Sequence, residues 1–209
     1  MITIDEITNN GNVRSFVTTF QMMIRKNLPI YLLMTGLYEN VSDLQNADGM
    51  TFLLRTPKII LSPLNKTGMI HAYMLSCEVS EEKAKEMADF TKGYAFAFQL
   101  LGYLFFREKQ KDGNESLEIL MPDFDQYMEE YVYTKIWTQL SPIDRTFFIA
   151  ISRKEKYKVK DLLEDMGIEN NKYSVYRTRL SQKGIIDISE RGYVSMALPR
   201  FASIINNTQ

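Results

Sequence analysis

The sequence predicts an α/β segment at its start, a wholly helical middle, and a closing module of three short helices followed by a β-hairpin. Three observations carry this. Two short apolar runs, Ile2 to Ile4 and Ile30 to Met34, have the length and bulk of strands and are separated by a stretch of helical periodicity. From Asn65 to about Arg107 the apolar spacing is helical throughout. From Ser141 onward, three helix starts and stops precede a strand, turn and strand.

Ile2 and Ile4 read as a buried strand, with Asp5 and Glu6 at its C-terminal end, the place where open α/β sheets bind ligands. Taken alone, an Asp-Glu dipeptide also fits a solvated turn. Val13, Phe16, Val17, Phe20 and Ile24 then recur at helical spacing, with Asn10 or Asn12 as cap, giving about three turns that return across the sheet. After Pro29, Ile30-Tyr-Leu-Leu-Met34 is a continuous apolar run, the pattern of a parallel strand covered on both faces, and it ends at Thr35-Gly36. Residues 37 to 50 read as a short helix and loop rich in turn formers. Ile59, Ile60 and Leu61 form the last expected strand, stopped by Pro63.

In the helical middle, Ser80 is placed to cap a helix with Glu81 and Glu82 in its first turn, ending near Gly93. The aromatic segment Thr91 to Phe106 follows. Gln110 to Ser116 reads as a loop, and Asp123 with Gln126 has capping-box spacing for a helix running to about Leu140. His71 and Cys77 are each the sole residue of their type, and no metal-ligand spacing or nucleophile elbow occurs.

The closing module opens with Ser141-Pro142-Ile143-Asp144, a cap, a proline at the first helical position and an acid at the third. Val159, Leu162 and Leu163 mark a second helix ending at Gly167. Asn170 or Asn171 caps a third, in which Tyr173, Tyr176 and Leu180 share a face, and Gly184 ends it. Ile185 to Ile188 and Tyr193 to Leu198 flank the turn Glu190-Arg191-Gly192. This order is that of a winged helix.

The net charge of −1 predicts no general attraction to nucleic acid, so any such binding is local. Between Lys172 and Arg200 six basic residues face two acidic ones, a focus suited to duplex DNA. With Tyr173, Tyr176 and Leu180 turned inward, Ser174, Thr178 and Gln182 face outward and are suited to base edges. Arg177, Arg179 and Lys183 flank them for phosphates, and Arg191 sits at the wing tip. Winged helices also dock proteins, so a protein partner is the alternative. One cysteine excludes a disulfide framework, and the longest apolar run, Ala95 to Phe106, is too short to cross a bilayer. A soluble cytoplasmic protein without membrane contact is the plain reading.

The run Met1 to Asn10, the pair Phe16-x3-Phe20, the strand Leu28 to Gly36 and the segment Thr91 to Phe106 together resemble the Orc/Cdc6-related branch of the AAA+ ATPases, found in archaea and bacteria. The phrase Val175-Tyr-Arg-Thr-Arg-Leu-Ser-Gln-Lys-Gly-Ile-Ile186, with Leu198-Pro-x-Phe201 behind it, is similar to that family's tail. The resemblance implies an α/β partial P-loop NTPase core over 1–64, a helical lid over 65–122, and a linker helix with winged-helix domain over 123–209. It implies ATP and Mg2+ as cofactors of a full-length protein. Asp5 would orient the metal through water, Glu6 would polarise the attacking water, and Thr35 would sense the γ-phosphate. Arg55 would act as an arginine finger on a neighbouring subunit, which implies self-association through the core. Two departures stand out. Ala95 and Phe96 fill the place where relatives carry a second-sensor arginine, and no G-x4-G-K-[ST] occurs in the 209 residues. The expectation is therefore a C-terminal portion of a longer ATPase, binding no nucleotide and hydrolysing no ATP by itself.

Overall fold

A computed structural model describes residues 1–113 and 115–208. The chain divides into two compact units, Met1–Leu61 and the remainder from Ser62.

In the first unit, strand β1 (Ile2–Ile4) and strand β2 (Leu32–Met34) are separated by helix α1 (Gly11–Arg25). The strands pair in parallel, Ile2 opposite Leu32 and Ile4 opposite Met34. Parallel neighbours need such a crossover, and a helix is its usual form. Asn10 caps α1 by accepting from the Val13 amide at 3.0 Å. At four turns the helix is longer than expected, and it buries Val17 and Phe20. Helix α2 (Tyr38–Asn46) and a 3-10 turn (Thr51–Arg55) complete a small core of Ile7, Val17, Leu44, Met50 and Leu53.

Two expectations about this sheet are corrected. Ile4 and Met34 pack on the core, but Tyr31 and Leu33 are exposed. Side chains alternate across a pleat, and the helices cover one face only. Ile59–Leu61 forms no strand; its three side chains are 80–89% exposed. A three-residue apolar run becomes a strand only by bonding to a neighbouring backbone, and the sheet of the first unit has just the order β1-β2.

The second unit begins with helix α3 (Lys66–Cys77), capped by Asn65, and helix α4 (Glu81–Thr91), capped by Ser80 with both glutamates in its first turn. Gly93, at φ 78°, lies so close to Pro63 and the Leu64 carbonyl that a Cβ there would approach to 2.9 and 3.0 Å. Helix α5 (Ala95–Asp112) buries Ala97, Leu101, Leu104 and Phe105 against α3 and α4, so the aromatic segment is core. The expected loop at Gln110–Ser116 is shortened, because α5 continues through Asp112 to a left-handed Gly113; Asn114 lies outside the described residues.

Helix α6 (Met121–Met128), a π-helical turn (Glu129–Tyr133) and helix α7 (Thr134–Gln139) run on without a break. The capping box is corrected: α6 starts earlier, with Pro122 in its first turn, and Asp123 takes the guanidinium of Arg107. Helix α8 (Pro142–Ser152), strand β3 (Lys156–Lys158), helix α9 (Val159–Met166), helix α10 (Asn170–Gln182), strand β4 (Ile186–Asp187) and strand β5 (Tyr193–Met196) follow, and helix α11 (Phe201–Thr208) closes the chain. Glu169, not an asparagine, stands at the cap position of α10 and makes no side-chain capping bond. The strands form an antiparallel sheet in the order β3-β5-β4, one strand more than the expected hairpin.

One hydrophobic core runs from α3 to α11. Tyr133 stacks on Phe201 with centroids 4.4 Å apart, and Phe148 meets the same ring edge-on at 4.6 Å. The Tyr133 hydroxyl donates to the Pro199 carbonyl, and Arg200 pairs with Asp125. The helical middle and the closing module therefore share their packing.

Candidate functional site

The ends of β1 and β2 bring two of the expected residues together. Parallel pairing in register puts Asp5 and Thr35 side by side, one residue past Ile4 and Met34. The Thr35 hydroxyl donates to Asp5 Oδ1, which also accepts the Glu6 amide at 3.0 Å. Glu6 adopts φ 51°, a left-handed conformation uncommon outside glycine, as the chain turns from the strand end toward buried Ile7. The Ile7 amide then bonds to the Thr35 carbonyl at 2.9 Å, locking the two strand ends. Asp5, Glu6 and Thr35 are all exposed. Arg55 ends the 3-10 turn, exposed and without an ion pair among the described residues.

ATP and magnesium would make separate demands on these residues. Asp5 and Thr35 present hydroxyl and carboxylate oxygens at a strand end, donors suited to a hydrated magnesium ion. The phosphates are another matter, because the sequence holds no glycine-rich phosphate loop. The 209 residues do not fit ATP as a whole, and no hydrolytic step is assigned to them. Among the described residues no group of three or more His, Cys, Asp or Glu is gathered closely enough to hold a metal.

In the second unit α10 is built as its pattern predicts. Tyr173 and Leu180 are buried and Tyr176 is half-buried against Phe147, its ring centroid 4.5 Å away. Ser174, Thr178 and Gln182 are exposed. The Ser174 and Thr178 hydroxyls donate to the carbonyls four residues back, at 3.0 and 2.9 Å, which leaves their oxygen lone pairs facing outward. Burial pushes the Tyr173 hydroxyl above its ordinary value, with Arg177 pulling the other way.

The basic residues separate into two groups. Arg179 is engaged within the protein: its guanidinium takes the carboxylate of buried Asp144 at 2.9 Å through Nε and stands over the Tyr176 ring, so it fastens α10 to α8. Arg200 is likewise held by Asp125. Arg177 is half-buried, Lys183 is half-buried, and Arg191 is exposed on the turn between β4 and β5. No ion pair holds Lys172, Arg177 or Arg191 among the described residues.

Sequence reasoning missed other features of this surface. Lys156 and Lys158 lie on β3, and Lys160 follows in the first turn of α9. The signal was present in Arg153-Lys-Glu-Lys-Tyr-Lys-Val-Lys160, five cations in eight residues. Val175, 61% exposed, stands among the polar groups of α10.

In fold, this mixed α/β chain is similar to a solved Walker-type ATPase. Over 98% of its length the chain is similar in structure to the Walker-type ATPase PABY2304 of Pyrococcus abyssi, with TM-score 0.64 and 15% identity, and it covers 62% of that chain. Cdc6p from Pyrobaculum aerophilum is similar at TM-score 0.45 and 16% identity, over 98% of this chain and 65% of that one. The chain thus spans less than two thirds of either protein, and at such identities the likeness is one of fold. Residues 130–205 match the family described as "Domain of unknown function (DUF8462)". No curated protein matches the chain. Among the described residues no helix is long and apolar enough to cross a membrane.

Proposed function

We propose that this chain carries the magnesium-side core, lid and winged helix of an ATP-governed switch, and that its winged helix binds duplex DNA through α10. The observation that carries the DNA reading is the exposed face of α10, where Ser174, Val175, Thr178 and Gln182 stand outward while Tyr173 and Leu180 anchor the helix beneath. Short polar groups read donor and acceptor patterns in a major groove, and a small apolar group suits a thymine methyl. Lys172 and Arg177 on the helix and Arg191 on the turn supply charge for the flanking phosphates.

The nucleotide part of the reading rests on Asp5 and Thr35 meeting at the strand ends, together with the fold. In such a switch Asp5 would hold the hydrated metal and Glu6 would face the attacking water. Exposed Arg55 is available to a neighbouring subunit. Arg55→Ala is then expected to weaken self-association in sedimentation velocity runs. Assembly unchanged by the substitution removes the finger from the proposal.

Fluorescence anisotropy with labelled duplexes of different sequence tests the DNA reading. Binding that falls steeply with salt is expected. Arg177→Ala weakens all duplexes alike, and Gln182→Ala or Thr178→Ala narrows the difference between strong and weak sequences. Absence of duplex binding at low salt overturns the reading, and tight binding of a protein partner that is lost on substitution of the same face supports the protein-docking alternative.

A further inference from the structure

Resting on the DNA reading above, we infer that a second phosphate-contacting strip lies along the edge strand β3 and the start of α9, and that Glu190 partly masks it. The strip consists of Lys156, Lys158 and Lys160, with Arg191 across the turn.

Geometry gathers these residues at one end of the three-stranded sheet. β3 is an edge strand paired only with β5, Lys156 opposite Ser195 and Lys158 opposite Tyr193. Tyr157 between them is 2% exposed and its hydroxyl donates to Asp165, which fixes the strand's inner face. By alternation Lys156 and Lys158 both point away from the core, about 7 Å apart along the strand, far enough for each to meet a different phosphate. The Val159 amide then bonds to the Gly192 carbonyl at 3.0 Å. That bond brings the beginning of α9, with Lys160 one residue on, against the turn that carries Arg191.

The charges of the strip are only partly answered within the protein. Lys158 and Arg191 enter no ion pair among the described residues. Lys160 faces Glu164 at 3.8 Å, with side chains 83% and 67% exposed, a pair too loose and too solvated to tie the ammonium down. Lys156 is the exception, since it closes on Glu190 of the turn. Lysines on an edge strand also discourage strand pairing between molecules. That accounts for β3 but not for Lys160 on a helix or Arg191 on the turn. Three lysine point charges beside one guanidinium suit a sequence-neutral phosphate backbone. Glu190 then competes with the backbone for Lys156.

The test uses the whole chain and a labelled duplex, titrated between about 50 and 200 mM salt. Lys158→Gln with Lys160→Gln is expected to reduce the slope of log K against log salt by about 2 and to weaken every sequence alike, about tenfold. The paired Arg replacements keep the slope. Glu190→Gln, whose backbone carbonyl still accepts from Tyr193, is expected to tighten binding and steepen the slope by about 1. Unchanged circular-dichroism melts separate these effects from misfolding. If the parent chain binds duplex and the double Gln variant keeps its slope, the strip is wrong and the α10 reading stands. If Glu190→Gln leaves affinity unchanged, the masking is wrong. A parent chain that binds no duplex, or binds anionic lipid vesicles in its place, overturns both.

Discussion

The guanidinium of Arg179 on α10 reaches the carboxylate of Asp144 in the first turn of α8, Nε lying 2.9 Å from Oδ1. Asp144 is 1% exposed, and its other oxygen accepts from the Ser141 hydroxyl at 2.8 Å. A buried carboxylate is tolerated when its lone pairs are taken, and removing its cation leaves charge behind in an apolar setting. Arg179→Ala is therefore expected to lower the unfolding free energy by about 2 kcal/mol, below the range for a fully buried pair because the Arg179 side chain is 38% exposed. Urea denaturation measures this. The double replacement Asp144→Leu with Arg179→Met is expected to recover most of the loss. Because the charge is already taken by Asp144, the variant's salt slope on duplex should match the parent's; a slope lowered by about 1 would return Arg179 to the phosphates.

Two buried hydroxyls give the second unit an alkaline limit. Tyr73 donates to the Phe98 carbonyl at 2.8 Å and Tyr133 donates to the Pro199 carbonyl. Burial raises both hydroxyls well above the ordinary phenol value. In the unfolded chain they ionise near about pH 10. Their contribution is thus complete below that pH and is lost as pH rises above it, since the unfolded state then sheds protons that the native state retains. Thermal melts should hold steady from about pH 7 to 9 and fall beyond about pH 10. Tyr133→Phe is expected to cost about 1 kcal/mol at neutral pH through the unpaired Pro199 carbonyl, and to make the alkaline fall shallower. A fall of the same steepness in the variant would place the sensitivity elsewhere.

Local signals were legible in the sequence where they act within a few residues. Asn10, Ser80 and Ser141-Pro142 cap helices where their spacing says they should. The meeting of Asp5 and Thr35, 30 positions apart, followed from two strand ends once the strands were parallel. What stayed hidden depends on distant partners. Arg179 finds Asp144 35 positions away and Arg200 finds Asp125 75 positions away, so a count of basic residues overstated the charge available on the surface. β3 was hidden because one tyrosine between two lysines carries almost no hydrophobic period. Ile59–Leu61 misled in the opposite sense, since its composition has high strand propensity and no neighbouring strand takes it up.

That same run has a measurable consequence. Ile59, Ile60 and Leu61 are exposed in sequence between Pro57 and Pro63, a short β-prone apolar stretch of the kind that pairs between molecules. Ile60→Lys is expected to raise the concentration at which light scattering appears, while leaving the thermal midpoint within about 2 °C. Unchanged aggregation with the lysine in place would show that the run does not drive association.

Gly36 sets how closely the two strand ends can approach. A Cβ at this position would lie 2.9 Å from Ile7 Cγ1 and 3.2 Å from the Ile7 carbonyl. Neither side has room to move. The Ile7 amide is bonded to the Thr35 carbonyl at 2.9 Å, and the Thr35 amide to the Ile4 carbonyl at 2.9 Å, so the backbone on both sides of the contact is pinned. Ile7 itself is 2% exposed in the small core of the first unit. Gly36→Ala is therefore an overpacking change, expected to destabilise the first unit by about 1–3 kcal/mol. Ile7→Ala alone leaves a cavity and is expected to cost about 2–4 kcal/mol. In the double variant the alanine methyl occupies part of the space vacated by Ile7, so the combined loss should fall short of the sum by about 1 kcal/mol. Urea melts of the parent, the two single variants and the double variant measure that coupling; strict additivity would mean that Gly36 and Ile7 do not define the approach of the strand ends that carry Asp5 and Thr35.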